Sequence, residues 1–156
     1  MGEDKKRVAL FCGSFDPFHK GHKYVVDTAL KLFDEVIVCV AVNPSKKGYF
    51  DLRARLNILE AIFKDNGRVK IVSTEGLIVD IAKEYGASFI VKGVRNSKDF
   101  EDEIAQSDAN RYLGDGLETI LIPTPNELSY ISSTLIRTII QEGKGTKQDK
   151  LRNLMC

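Results

Sequence analysis

Residues Leu10 to His22 read LFCGSFDPFHKGH, an apolar strand that runs out through glycine and proline and ends on two histidines opening a helix. Val8 to Phe11 are strand formers, Gly13 permits close backbone approach, Asp16-Pro17 is turn chemistry, and helical periodicity starts at Tyr24. The order is strand, loop, helix. His19 and His22 share one face if the helix begins this early, with the free N–H groups of its first turn pointing the same way. Imidazoles together with such N–H groups suit an anion, so the stretch reads as a phosphate site.

Outward from that stretch, short β-branched runs alternate with longer segments of helical period, which predicts an α/β fold. Tyr24, Val25, Ala29, Leu30, Leu32 and Phe33 make the apolar face of a first helix reaching about Phe33. Glu35 to Val42 is the second strand, and its unbroken apolar character predicts burial on both faces, as in a parallel sheet covered by helices. The loop Asn43 to Phe50, NPSKKGYF, leaves its carboxyl end, and Asp51 caps a helix carrying Leu52, Leu56, Leu59, Ile62 and Phe63. A third strand, Val69 to Val72, precedes a short helix from Leu77 to Tyr85 ended by Gly86. Ser88 to Val91 is the fourth strand, emptying into KGVRNSKDFEDE, and a helix from about Asp99 to Leu113 carries Ile104, Ala105, Ala109 and Tyr112. After the fifth strand, Thr119 to Ile122, Pro123, Pro125 and Asn126 make an exit loop. Ser132-Ser133-Thr134 then cap a helix through Ile140. A flexible turn is expected near 143–148, before a short C-terminal helix.

The composition supports one domain over residues 1–156, with 43% hydrophobic residues to bury a single core. A balance of 23 basic and 22 acidic residues argues against nucleic acid as a partner, so any phosphate site is a local cluster. Cys12, Cys39 and Cys156 are odd in number and widely spaced, which fits reduced thiols better than a disulfide framework or a zinc knuckle. Met1 to Arg7 is charged with no apolar signal core behind it, and no run approaches the roughly 20 residues of a membrane span. The expectation is a soluble, cytoplasmic protein without membrane attachment.

Five strands joined by helices predict a single doubly wound domain with a five-stranded parallel sheet, whose ligand lies outside the carboxyl ends of the strands. The loops after strands one, two, four and five hold both histidines, the Lys46-Lys47 pair, Arg95 and the serine cluster. Neither G-x-G-x-x-G after the first strand nor G-x-x-x-x-G-K-[ST] is present, so the phosphate cradle is of another kind.

GSFDPFHKGH followed by a distal ISSTLIR resembles the HxGH superfamily of nucleotidyltransferases, and the fold this implies is the Rossmann-like nucleotidyltransferase fold. NPSKKGYF, KGVRNSKDFEDE and SYISSTLIR, at these intervals, are similar to the bacterial phosphopantetheine adenylyltransferase family over nearly the whole chain. The resemblance implies transfer of AMP from ATP to 4′-phosphopantetheine, giving dephospho-coenzyme A and pyrophosphate, with Mg²⁺, in a homohexamer. It also implies roles. His22 would hold the α-phosphate in the pentacovalent transition state, Lys46 would neutralise the acceptor phosphate and the reacting centre, and Arg95 would contact the ATP phosphates. Ser14 would bind the acceptor phosphate and contact ATP, Phe15, Gly93 and Val94 would give backbone contacts, and Glu103 a hydrogen bond to the nucleotide. The ATP site would extend over Leu128, Ser129, Tyr130, Ile131, Ser132, Ser133 and Thr134, while Ile78 would touch the pantetheine arm. Each has a bland alternative, Ser14 as a turn hydroxyl, Lys46 as a solvated loop lysine, Glu103 as an exposed helix carboxylate and Ile78 as a core residue. Convergence of the loops is what favours function.

Four residues depart from that family's pattern. His19 stands where a hydroxyl or amide residue is general and matches pyridine-mononucleotide adenylyltransferases, which keeps nicotinate or nicotinamide mononucleotide open as acceptor. Cys12 replaces a proline, Asp102 an aromatic residue, and Lys92 an arginine that generally grips the acceptor phosphate. Lysine keeps the charge but lacks the bidentate fork. The two histidines raise a metal site, but no carboxylate–cysteine set completes it, and no protein metal ligands are expected. A non-catalytic adenine-nucleotide binding module on the same sheet is the reading from another class.

Overall fold

The computed structural model describes residues 5–143 and 145–156. Residues 1–4 of the charged N-terminal stretch and residue 144 of the expected turn lie outside that description. Five strands form one parallel sheet: β1 (Val8–Gly13), β2 (Glu35–Ala41), β3 (Val69–Thr74), β4 (Phe89–Val94) and β5 (Glu118–Pro123). Their order is β3-β2-β1-β4-β5, so the chain winds one way from β1 to β3 and the other way through β4 and β5. The reversal lies between β1 and β4, and the crevice at their carboxyl ends is where such a sheet binds ligands.

The side-chain period of two sorts the central strands between two cores. Ala9 and Phe11 of β1, with Val36, Val38 and Val40 of β2, meet helices α1 (Lys20–Ala29) and α2 (Leu52–Phe63) on one face. Val8, Leu10 and Cys12, with Ile37 and Cys39, meet α3 (Ile78–Tyr85) on the other. The doubly wound expectation is met, and the three cysteines are free thiols. A third, smaller cluster of Ile131, Ile136 and Leu154 joins α5 (Ser133–Glu142) to the C-terminal turns, α6 (Thr146–Asp149) and a 3₁₀ turn at Lys150–Asn153. No helix of the described residues is long and apolar enough to cross a membrane.

Several boundaries differ from the sequence reading. The first helix ends at Ala29, not near Phe33, because Lys31 N–H and Leu32 N–H turn back to Thr28 and Ala29 carbonyls in tight turns that still bury Phe33. β4 runs on through Lys92, Gly93 and Val94, in place of the expected loop. Its pairing with β5 continues to Val94↔Pro123. Asn96 accepts the Asp99 N–H and starts α4 (Ser97–Leu113) two residues earlier than expected. The apolar face expected of α4 is not its packed face: Ser107 is its buried residue, while Phe100, Ile104, Tyr112 and Leu113 are exposed. In the turn expected near 143–148, Gln148 Nε2 donates to the carbonyls of Ile139 (2.8 Å) and Gly143 (2.7 Å) and closes the end of α5.

Candidate functional site

The loop from β1 into α1 is built around two glycines that admit neighbouring rings. A Cβ on Gly13 would stand 2.9 Å from the Phe15 ring, and one on Gly21 2.9 Å from His19 Cε1. With Gly21 clear, His19 folds over the helix start and its Nδ1 accepts the Gly21 N–H at 3.0 Å. His22 reaches back so that its own Nδ1 accepts the His19 N–H at 3.1 Å. The result is a capping box made of two imidazoles, where serine or threonine and glutamate usually stand. The rings stack with centroids 3.7 Å apart, and Phe15 and Phe18 close on His22 at 5.0 and 5.2 Å.

Charge and tautomer follow from this packing. Burial, with Arg95 adding to it, lowers His19 to about 4. Burial, then His19, Arg95 and Lys92, holds His22 well below the usual imidazole value. Both rings are neutral at pH 7, and because each Nδ1 accepts, the hydrogen-bond network assigns the proton to Nε2. His22 is thus a fixed N–H donor rather than an acid, the state suited to an oxygen that gains negative charge.

A cavity of about 400 Å³ opens beside these rings at the reversal point of the sheet. Ser14, Phe15 and His22 line it from the β1–α1 loop, Lys92 and Gly93 from β4, and Arg95 from the turn beyond. Glu103 enters from α4, and Ile131, Ser132, Ser133 and Thr134 from the start of α5. Lys92 Nζ lies 3.7 Å from Glu103 Oε1. Arg95 Nε donates to Asp99 Oδ2 at 3.2 Å and Nη1 to the Ile131 carbonyl at 3.3 Å, which aims its guanidinium along the cavity wall.

The three hydroxyls, expected to act together, hold separate posts. Ser132 Oγ caps α5 by accepting the Leu135 N–H at 3.0 Å. Ser133 Oγ donates to the Pro17 carbonyl at 2.8 Å, and Thr134 Oγ1 accepts from Arg137 Nη2 at 3.1 Å. The positive end of α5 remains directed at the cavity.

Lys46 lies elsewhere, in a second cavity of about 670 Å³ with Asn43, Lys47, Tyr49, Arg55 and Asp16. Ser14 and Arg137 line both cavities, so the two meet at the β1–α1 loop. Val94, Leu128, Ser129, Tyr130 and Ile78 line neither cavity. Val94 pairs with Pro123 at the strand end, and Leu128 packs in the cluster of Ile131 and Ile136. Ser129 Oγ donates to the Asn126 carbonyl within its own turn, and Tyr130 is 62% exposed. Ile78 packs against the core beneath α3, the bland reading of that residue.

Three residues went unassigned in the sequence. Asp16 read only as turn chemistry, yet its buried carboxylate accepts the N–H groups of Tyr49 and Phe50, both at 2.8 Å, and moors the Lys46 loop. Arg137 stood in the quoted ISSTLIR without a role. Arg55 carries the one readable signal, a cation on the stripe that α2 otherwise buries with Leu59 and Phe63. Among the described residues no three His, Cys, Asp or Glu side chains gather as a candidate metal site.

The family model for cytidylyltransferase-like proteins matches residues 10–139. A phosphopantetheine adenylyltransferase of Bacteroides thetaiotaomicron is 42% identical over 142 residues, 91% of this chain and 93% of that protein. A protein of the same name from Cytophaga hutchinsonii is 44% identical over 133 residues, 85% of this chain and 89% of its own length. Among solved structures, a bifunctional NMN adenylyltransferase/ADP ribose pyrophosphatase from Francisella tularensis superposes with a TM-score of 0.70 at 19% identity, covering 97% of this chain and 45% of that one. The nicotinic acid mononucleotide adenylyltransferase of Plasmodium falciparum gives 0.66 at 16% identity over 97% of this chain and 91% of that one. At those identities the two structures speak for the fold alone.

Proposed function

The chain belongs to the phosphopantetheine adenylyltransferase family of cytidylyltransferase-like nucleotidyltransferases, and from that membership we propose that it moves AMP from ATP to 4′-phosphopantetheine, releasing pyrophosphate and dephospho-coenzyme A. The observation that carries the reading is the pair of cavities meeting at Ser14, one walled by His22 and Arg95, the other by Lys46. A nucleotide and a phosphate-bearing acceptor need such adjoining sites.

In this mechanism an acceptor phosphate oxygen attacks the α-phosphorus of ATP in line. The new P–O bond forms as the bond to the β-phosphate oxygen breaks, and pyrophosphate leaves with that electron pair. The attacking oxygen is already ionised, so positioning and charge stabilisation do the catalytic work, without a general base. His22 Nε2–H donates to the α-phosphate as charge grows there, and Lys46 neutralises the acceptor phosphate. Arg95 and the first turn of α5 hold the leaving phosphates, while Ser14 stands between the two substrates. Mg²⁺, carried with ATP, would supply charge neutralisation at its phosphates. The carboxylates beside the cavity, Asp99 and Glu103, are paired with Arg95 and Lys92, so this chain would leave the ion to be held by oxygens of its substrate and solvent.

The proposal includes a cytoplasmic homohexamer, and the exposed apolar residues Phe100, Ile104, Tyr112 and Leu113 of α4 support self-association. Sedimentation would then give six times the chain mass of 17.4 kDa. Pyrophosphate release from ATP offered 4′-phosphopantetheine, nicotinate mononucleotide or no acceptor tests the activity. Release with the first alone is expected. Release with the second alone would move the assignment to the pyridine nucleotide enzymes that His19 resembles, and ATP binding with no release would make the chain a binding module.

A further inference from the structure

Three backbone carbonyls of the β1–α1 loop are held by side chains of other elements. Those of Ser14, Asp16 and Pro17 accept from Arg55 Nη1 at 2.9 Å, Arg137 Nη1 at 2.7 Å and Ser133 Oγ at 2.8 Å. Between the first two, Phe15 has φ 46°, a left-handed conformation that costs a non-glycine residue about 1–2 kcal/mol and persists only where its surroundings enforce it. Arg137 and Ser133 come from α5, at the wall of the nucleotide cavity. Arg55 comes from α2 and lines only the cavity of Lys46.

Arg55 is 6% exposed on the buried stripe of α2, and its buried Nε has no partner. No carboxylate lies within 4.0 Å of its guanidinium among the described residues. Burying a cation this way is a net cost to folding that a leucine on the same stripe would avoid. The guanidinium also meets the loop bearing Lys46. A Cβ added to Gly48 would lie 2.9 Å from the Phe50 carbonyl oxygen, 3.3 Å from Arg55 Nη2 and 3.3 Å from Asp16 Oδ2, so the loop passes close over both side chains. Arg55 therefore sits between the two acceptor-side groups, bonded to the backbone of Ser14 and roofed by the loop of Lys46.

We infer that Arg55 is a positioning residue for the acceptor: it holds Ser14 and the Lys46 loop at a fixed separation and biases their cavity toward a phosphate monoester. This rests on the reading of that cavity as the acceptor's side. A charge-assisted hydrogen bond of this kind, when removed, weakens the dependent step by roughly 10- to 100-fold.

The test compares wild type, Arg55→Met and Arg55→Lys in two measurements. Pyrophosphate release with phosphopantetheine as the varied substrate gives the acceptor KM, and calorimetry gives the affinity for α,β-methylene-ATP. Met keeps the volume and loses the charge. It is expected to raise the acceptor KM by about 10- to 100-fold while analogue affinity stays within about twofold. Lys keeps the charge without the fork and is expected to fall between Met and wild type. An unchanged acceptor KM, or equal losses of acceptor and nucleotide, would overturn the inference. If circular dichroism shows Arg55→Met unfolded, Arg55→Lys decides by the same two criteria. A wild type that releases no pyrophosphate with phosphopantetheine overturns the proposed function as well, which separates the two failures.

Discussion

At His22 the imidazole accepts the His19 N–H at Nδ1 and is ringed by Phe11, Phe15 and Phe18, so its proton stays on Nε2 and its orientation is set before any phosphate arrives. Removing one preorganised donor of this kind costs about 10²–10³ in rate. His22→Ala is expected to lose that much kcat while keeping a wild-type circular dichroism spectrum, and turnover near wild type would refute the assignment. His19 offers a second check, through stability. Its value falls from 6.5 to about 4 on folding, so its contribution is fully present above about 6.5 and is lost as pH drops toward 4. A shift of this size corresponds to about 3 kcal/mol. The melting temperature should therefore fall between pH 7 and pH 4. His19→Asn, which can still cap but does not titrate, should flatten that fall; an unaltered slope would show that His19 is not its source. The residue types were legible in the sequence, and so was a shared face. The mutual capping was not, since residue spacing says nothing of which nitrogen meets which N–H.

Strand β4 shows how an element can be misread where it serves the site. Lys92, Gly93 and Val94 read as loop because a glycine beside polar residues usually punctuates structure. Here Gly93 sits inside a paired strand because α1 lies directly on it: a Cβ would stand 2.9 Å from Val25 Cγ2. The same close approach sets His22, one helical turn before Val25, above the cavity. Gly93→Ala should push α1 off the sheet, lowering stability by about 1–3 kcal/mol. It should also reduce kcat by more than about tenfold, through misplacement of a group that works by position. Melting curves and steady-state rates measure the two effects, and a stability loss with wild-type kcat would show that α1 absorbs the methyl without moving His22. Helix α4 is the opposite case, with a legible span and a wrong face. Its inner side carries polar groups, Asp99 and Glu103 lining the cavity and Ser107 buried with its hydroxyl donating to the Ile104 carbonyl, and its apolar residues are left outside.

Across the whole molecule, the C-terminal turns tie the two helices that flank the cavity of His22 and Arg95. Leu154 is buried with Ile131 and Ile136 of the α5 region, and its carbonyl accepts the Lys20 N–H at 3.1 Å, in the first turn of α1. Leu154→Ala should lose about 2–5 kcal/mol, which for a chain of 156 residues is a fall of roughly 5–15 °C in melting temperature. A change below about 2 °C would mean that this segment packs only loosely. The sequence by itself determined the class of fold: β-branched runs alternating with helical segments dictate strands joined by helices, and strands apolar on both faces dictate a wound parallel sheet. It also pointed to the end of the sheet at which the two cavities open, because the cationic and hydroxyl residues follow the strands' carboxyl ends. Only the tertiary structure decided which groups meet there. Arg55 reaches Ser14 across 41 residues, Ser133 reaches Pro17 across 116, and Arg137 reaches Asp16 across 121. Local periodicity records which type of element a short stretch forms. A hydrogen bond between distant segments depends on the closed path of the whole chain, which is why the division into two cavities and the clamp on the β1–α1 loop came into view only with the fold.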